Sequence, residues 1–414
     1  MNMANIPNQD LATIRTHLAA IEALLPSASI ATADALNAAI AAANAGDTLV
    51  LDPALVYPNP FTITKPLTLV SSVPGTVRMA KDTPAPTFLA GMQIPANDVT
   101  LRGIAMQHTN PLTAICSLSG ARTTFDRVRI LGDPTKGGRR GIAANGGAMT
   151  FTRCFIDDCF GFGLETQAIC AWDMDAGLTV DDSYLAGGSS AIMLGGADPS
   201  SQARIPMNVH VTNSEFGKNP AWYSMGVQIK NAFEVKNGIN VYVGNCIANY
   251  AGIAEGQGAY LFVLTPRNQG NTAPYSTIKN VTIENITGGH AGGICNMLAT
   301  DDDNVSGPLT GVIMRHCKFT NIDPTGIWKG SGRLFTFNTG RPDAAVSNVT
   351  LQDIQVTGQN LAAWGYFIGA AKGLTMAQMQ LSPSKYGWKI DAGGMGRQAL
   401  LNLMPDAILD STIV

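Results

Sequence analysis

Side chains able to do acid–base chemistry fall into three groups along this 414-residue chain. The first is a set of carboxylates at one recurring position, Asp126, Asp181 and Glu284, with Asp182 adjoining and Asp157 and Asp158 nearby. Two carboxylates held about 5 to 9.5 Å apart can share the roles of proton donor and base or nucleophile. The second group mixes signs. In "FEVKN", Glu234 and Lys236 lie on one side of an extended strand, because side chains alternate. If the strands stack in order, Arg267 of "LTPRNQ", Asp301 of "ATDDDN" and Arg341 of "NTGRPD" follow on later turns of the chain. Such a ladder could clamp an acidic ligand or activate a proton donor. The third candidate is His290, set after two glycines. Each has a plainer reading: a solvated face, a row of exposed salt bridges worth little singly, and a turn residue.

Candidate ligand contacts accompany them. Glu234 and Asn268 flank the mixed-charge residues, and Trp172, Trp222, Tyr223 and Trp328 lie in the longer segments between strands. Aromatic faces on loops suit ring stacking, and the same residues can equally anchor those loops by packing. No metal or cofactor is expected. "TDDDN" lacks the spacing of a calcium loop, and no phosphate loop, dinucleotide fingerprint or Gly-x-Ser-x-Gly elbow is present. The seven cysteines are odd in number and scattered, with no Cys-x-x-Cys pair, which argues against a disulfide framework or zinc site and for a reducing compartment. A net charge of −3 argues against nucleic acid as partner, and no apolar run is long enough to span a membrane. Arg15, His17 and Glu22 interrupt the N-terminus, so no secretion signal is expected.

The elements that must position these residues follow from a repeat. An apolar–polar alternation, often ending in Asn or Asp, appears as "VTLRGIAM", "TTFDRVRI", "MTFTRCFI", "LTVDDSYL", "VHVTNSEF", "VYVGNCIA", "VTIENITG", "VIMRHCKF", "VTLQDIQV" and "LTMAQMQL". Its third residue recurs from Leu101 to Met376 at intervals of about 24 to 40 residues, the period of a solenoid turn. The fifth column reads Asp182, Asn213, Asn245, Asn285, His316 and Asp353, types that tolerate a left-handed bend and can hydrogen-bond from rung to rung. The sixth holds Cys154, Cys246 and Cys317 as buried filler. Ahead of the repeat, "ALNAAIAAANAGDTLVL" reads as a short helix over about 34–45, capped by Asp34 and ended by Gly46, leading into a strand.

This repeat, its Asn-rich column and the helix before "GDTLVL" resemble right-handed parallel β-helix proteins of the pectate-lyase-like superfamily. The resemblance implies an all-β solenoid of about ten or more rungs over 28–385, with the helix covering its open end, and a C-terminal cap over 386–414. Residues 10–25 form a further helix with Leu11, Ile14, Leu18, Ile21 and Leu25 at coiled-coil spacing. It either packs on the solenoid or, within a unit of residues 1–27, joins chains into a homotrimer or docks on other virion proteins. That organisation is similar to bacteriophage tailspikes, which implies a virion appendage, made in a cytoplasm, that binds a surface polysaccharide. The superfamily also implies an alternative, a polysaccharide lyase or glycoside hydrolase using Asp126, Asp181 and Asp182 or Lys236, Arg267 and His290. A third reading is a structural virion component that binds no sugar. The polygalacturonase pattern is excluded, since "VQIKN" and "GGH" occur in reversed order.

Overall fold

The computed structural model describes residues 29–108, 110, 112–252 and 258–413. The 10–25 segment therefore lies outside the described residues. Among the described residues every pairing between strands of the coil is parallel, and successive rungs stack to form three faces. The first two faces form one continuous 22-stranded sheet, because Leu309–Ile322, Val346–Gly358 and Ala371–Leu381 run around the corner between them; the third face has 12 strands. The chain is a parallel β-helix.

The ten residues aligned from sequence form one column of the first face. Register runs Leu101, Phe125, Phe151, Val180, Val211, Val243, Ile283, Met314, Leu351, Met376, each paired with the next. All ten are buried in a single apolar core. A rung buries only an inward stripe, so its stability comes from its neighbours.

Left-handed bends set the shape of each rung. After the first-face strand, the fifth-column residues Asp182, Asn213, Asn245, Asn285, His316 and Asp353 all have φ between 44° and 55°. Before the strand a second such column occurs, at Asp98, Arg122, Ala148, Asn208, Asn240, Asn280 and Asn348, with φ from 51° to 58°. The expected amide ladder belongs to this leading column. Asn240 Nδ2 donates to Asn208 Oδ1 (3.1 Å) and Asn280 Nδ2 to Asn240 Oδ1 (3.0 Å). In the sixth column, Cys154, Cys246 and Cys317 are buried, and each thiol donates to the carbonyl two residues earlier, at 3.4, 3.2 and 3.1 Å.

The N-terminal helix spans Ala33–Ala42. Its cap is Thr32, whose hydroxyl accepts from the Ala35 N–H (3.2 Å), not Asp34 as expected. It ends before Ala43, and Gly46 (φ +92°) turns the chain into the first strand instead of closing the helix. Leu36 is fully buried in the core, Asn37 accepts from the Tyr57 hydroxyl (2.8 Å), and Ile30 bridges Leu51, so this segment closes the first rung. At the other end the third face continues to Trp388–Ile390, and helix Gly396–Leu403 seats Leu400 in the core. Strand Ile408–Leu409 then pairs with Thr375 and Met376.

Because a left-handed bend costs a β-branched residue about 1–2 kcal/mol and glycine almost nothing, Asn245→Val lowers unfolding free energy by about that amount, and Asn245→Gly changes it little. Urea denaturation of the two variants checks this.

Candidate functional site: a groove on the third face

The third face carries side chains both into the core and outward. Phe233 and Val235 point in, which sends Glu234 and Lys236 out, as alternation requires. One outward column runs Met193, Glu234, Val263, Asn296, Thr336, Tyr366, Lys389 in register. A parallel column holds Tyr260 and then Gly293. Glycine is required there: a Cβ on Gly293 would lie 2.7 Å from the Tyr260 ring. The ring thus crosses the rung and its hydroxyl reaches Thr336 Oγ1 (2.6 Å), while Ser331 Oγ donates to it (3.0 Å). Burial raises the Tyr260 phenol above its ordinary value, against the opposing pull of Ser331, Thr336 and Arg333. At neutral pH it remains protonated.

These columns border a polar groove of about 390 Å³, lined among others by Glu234, Lys236, Tyr260, Arg267, Asn296 and Arg333. At one end the charges are interlocked. Glu234 is buried and accepts from Ser190 Oγ (3.0 Å). Lys236 Nζ lies 3.7 Å from Glu234 and 4.0 Å from Glu165, and Lys230 Nζ donates to Glu165 (2.5 Å). Burial disfavours the Glu165 charge, but Lys236, Lys230 and Arg140 outweigh it and hold its carboxyl below the ordinary value. Trp172 follows Ala171 in the third face, two rungs before Lys236, with Arg140 over its ring at 5.1 Å.

On the next rung the Arg267 N–H donates to the Lys236 carbonyl (2.9 Å). Its guanidinium donates to Asp301 (2.8 Å) and Asp302, and Arg341 Nε donates to the Asp301 carbonyl (3.1 Å). Asp301, Asp302 and Asp303 lie close enough together to hold a cation, but the Arg267 guanidinium already takes that place. Further along, Arg333 lies over the Tyr366 ring at 3.5 Å and Lys389 is 5.4 Å from the same ring, while Lys385 stands over Tyr386 at 4.8 Å. Among the described residues none of these three cations forms an ion pair. The Tyr366 hydroxyl donates to Asp391.

Thus the mixed-charge ladder read from sequence is one site: Glu234, Lys236, Arg267, Asp301 and Arg341 come together, with Trp172 near one end. The other candidates do not join it. Asp126 and Asp181 do share a column, separated by Thr152. Asp126, however, is not a solvated acid. It is buried among Arg102 (3.2 Å), Arg127 and Arg153 (2.7 Å), which makes it a structural anchor. Asp181 accepts from Thr212 Oγ1 (2.6 Å) and Asn213 Nδ2 (2.7 Å), and Asp182 forms a bend. Asp157 and Asp158 lie in a second-face strand beside Lys81, which is 3.0 Å from Asp158. Asn268 is fully buried and ties two loops together: its N–H donates to Asp301 and its Nδ2 to Val305 O in the loop of the next rung, and its Oδ1 accepts from the Ala273 N–H in its own loop. Trp222 is buried against Phe160 (5.2 Å), and the Tyr223 hydroxyl donates to the Ala251 carbonyl (3.0 Å). His290 and Trp328 pair with one another, away from the Lys236 cluster, at 5.2 Å. Sequence reasoning missed Glu165, Lys230, Tyr260, Arg333, Tyr366 and Lys389. For Tyr260, Arg333, Tyr366 and Lys389 an outward tyrosine or cation in a third-face strand was the available signal; Glu165 and Lys230 lie in the segments leading into such strands and carried none.

No protein-family model and no curated protein matches this sequence. Among solved structures the chain is similar to the Dettilon tailspike protein, at 12% identity over 86% of this chain and 64% of that one, with a TM-score of 0.45. It therefore spans just under two thirds of the tailspike's length. It is also similar to an alginate lyase from Paenibacillus sp. (11% identity, 87% and 97% of the two chains, TM-score 0.35). A third is the catalytic domain of an α-1,3-glucanase in complex with nigerose (11% identity, 93% and 67%, TM-score 0.43). The β-helix assignment rests on the strand register of the chain itself.

Behind Glu234, Lys218 is buried with its Nζ donating to the carbonyls of Gly187 (2.6 Å) and Gly188 (2.9 Å). Burial lowers its ammonium from 10.5 to about 7, against the attraction of Glu234. At this group the folded state therefore binds fewer protons than the unfolded one between those values, so the Lys218 contribution to stability rises as pH climbs from about 7 towards 10.5, while the seven buried thiols, which burial raises, contribute in the opposite direction near and above 9. Lys218→Met removes this contribution, so going from pH 7 to pH 9 the wild type gains stability relative to the variant. Urea midpoints at pH 7 and pH 9 give the comparison.

Proposed function

We propose that the third-face groove binds an acidic polysaccharide running along the coil axis. The observation that carries this reading is Arg333, a cation lining the groove that no described carboxylate pairs with, beside the neutral donors Asn296, Thr336 and Tyr260; Lys236 and Arg267 line the same groove but are paired with Glu234, Glu165, Asp301 and Asp302. Rungs about 4.8 Å apart repeat such groups along a straight line, which suits a chain of sugar rings bearing carboxylates. Arginine offers those carboxylates a planar, two-pronged donor. Arg333 is the principal anchor, since it is stacked on Tyr366 and otherwise unpaired with any described carboxylate.

The surrounding assignment is the one read from sequence: a homotrimeric appendage that recognises a surface glycan, with residues 1–27 joining the chains or docking them to a virion. A second reading draws on the adjacency of Lys236 and Arg267 on neighbouring rungs. In a lyase, one such group would take the proton beside the uronate carboxylate as the glycosidic oxygen leaves, and another donor would protonate that oxygen.

Arg333→Ala weakens binding of oligogalacturonate or oligoalginate by about tenfold, and raising the salt concentration weakens wild-type binding, as titration calorimetry would show. Unchanged affinity in the variant, or no binding by the wild type, contradicts the groove reading and leaves a spacer role. Unsaturated uronate appearing in the wild type and absent from Lys236→Ala selects the lyase. Light scattering gives a trimer mass for the full chain and a monomer mass without residues 1–27; a monomer in both makes the heptads packing residues.

A further inference from the structure

A second cavity, of about 370 Å³, lies away from the groove, at the end of the second-face strand Leu309–Ile322. Its walls include Asn321, Asp323, Gly326, Trp328, Thr357 and Gln359. Nothing in the groove reading uses them.

The cavity has a built ring platform. Trp328 is half-buried, and His290 abuts its indole edge-on at 5.2 Å and 88°. His290 is in turn held at 4.9 Å from the Tyr250 ring. Gly326 lies under the indole: a Cβ there would stand 3.0 Å from Trp328 Cε2. The Trp328 N–H is buried and has no hydrogen-bond acceptor. A buried donor left unpaired is costly, and an acceptor from a bound molecule would relieve it.

Facing the ring is a fixed acceptor. Asp323 is buried, and its carboxylate accepts from Gln359 Nε2 (2.7 Å), Thr325 Oγ1 (2.7 Å), the Thr325 N–H (2.8 Å) and Asn360 Nδ2 (3.3 Å). Burial opposes its charge, but these donors outweigh it and hold the carboxyl down to about 2. Among the described residues no cation pairs with Asp323. The site therefore presents an aromatic face, an ionised acceptor with neutral amide partners, and a volume in the range of small-ligand sites.

We propose that this corner cavity binds a single uncharged pyranose ring, stacked on Trp328, with its hydroxyls bonded to Asp323 and Gln359. Stacking uses the apolar C–H face of the sugar. The uncompensated carboxylate admits hydroxyl donors and repels a uronate, which is the reverse of the preference expected in the groove. The two sites differ in ligand charge, and neither depends on the other.

The test uses the full chain labelled with 5-fluorotryptophan, whose five indoles report separately by fluorine NMR; Trp328→Phe assigns the signal. The probes are the methyl glycosides of glucose, galactose, mannose, N-acetylglucosamine, N-acetylgalactosamine, fucose and rhamnose, with glucuronate as the charged control. At least one neutral glycoside shifts the Trp328 signal saturably at millimolar concentration, and glucuronate does not. Gln359→Ala raises the midpoint about three- to tenfold, the worth of one hydrogen bond. Gly326→Leu abolishes the shift while the five signals keep their folded dispersion. Lys236→Ala leaves it unchanged, which separates this site from the groove. No shift with any neutral glycoside, an equal shift with glucuronate, or an unaltered midpoint in Gln359→Ala would overturn the proposal.

Discussion

The structure depends on the left-handed bend. Twice in most rungs the backbone turns through φ near 50°, once before and once after the first-face strand. Only glycine and the short polar residues take that conformation cheaply. A bend fixed at the same two columns on each rung fixes where the chain turns on and off the first face. Parallel register then follows, because a one-residue slip would turn every inward side chain to solvent. The amide ladder of Asn208, Asn240 and Asn280 reinforces the leading bend by satisfying polar groups between rungs. Segments beyond the corners are free to vary in length, and the third-face loops use that freedom.

The groove is built on this regularity. Strand alternation alone sends Glu234 and Lys236 outward while Phe233 and Val235 fill the core. Loops then bury part of the outward face, and buried charges must find partners. Lys230, Glu165, Lys236 and Glu234 form a chain in which each charge answers the next. Removing one member leaves an uncompensated buried charge, a change that typically costs about 3–5 kcal/mol. The cations around Tyr366 are different. Arg333 and Lys389 rest on Tyr366, a contact that orders them without neutralising them. The groove is thus rigid and neutralised at one end and electrostatically open at the other.

The first face was legible in the sequence because its pattern is strict. Ten aligned residues fell into one buried column, and the fifth-column Asn and Asp residues fell at bends. The third face was harder to read. Tyr260–Leu264 is buried at all five positions, so no polar alternation marks it as a strand with an outward side. The Glu234–Lys236–Arg267 ladder was still found, since opposite charges two residues apart stand out. Asp126 was misread because its partners come from other rungs: Arg102 and Arg153 are far along the chain and adjacent in space. Asn268 was misread because its amide is spent tying its own loop to that of the next rung. Both errors concern which polar groups are already satisfied, and a repeat pattern carries no such information.

The most direct test of the central claim is a crystal structure of the chain soaked with an oligo-uronate. The account predicts sugar density along the third face, parallel to the coil axis, with a carboxylate at Arg333. Density on the first or second face, or a groove left empty while the same oligosaccharide binds in solution, would contradict it.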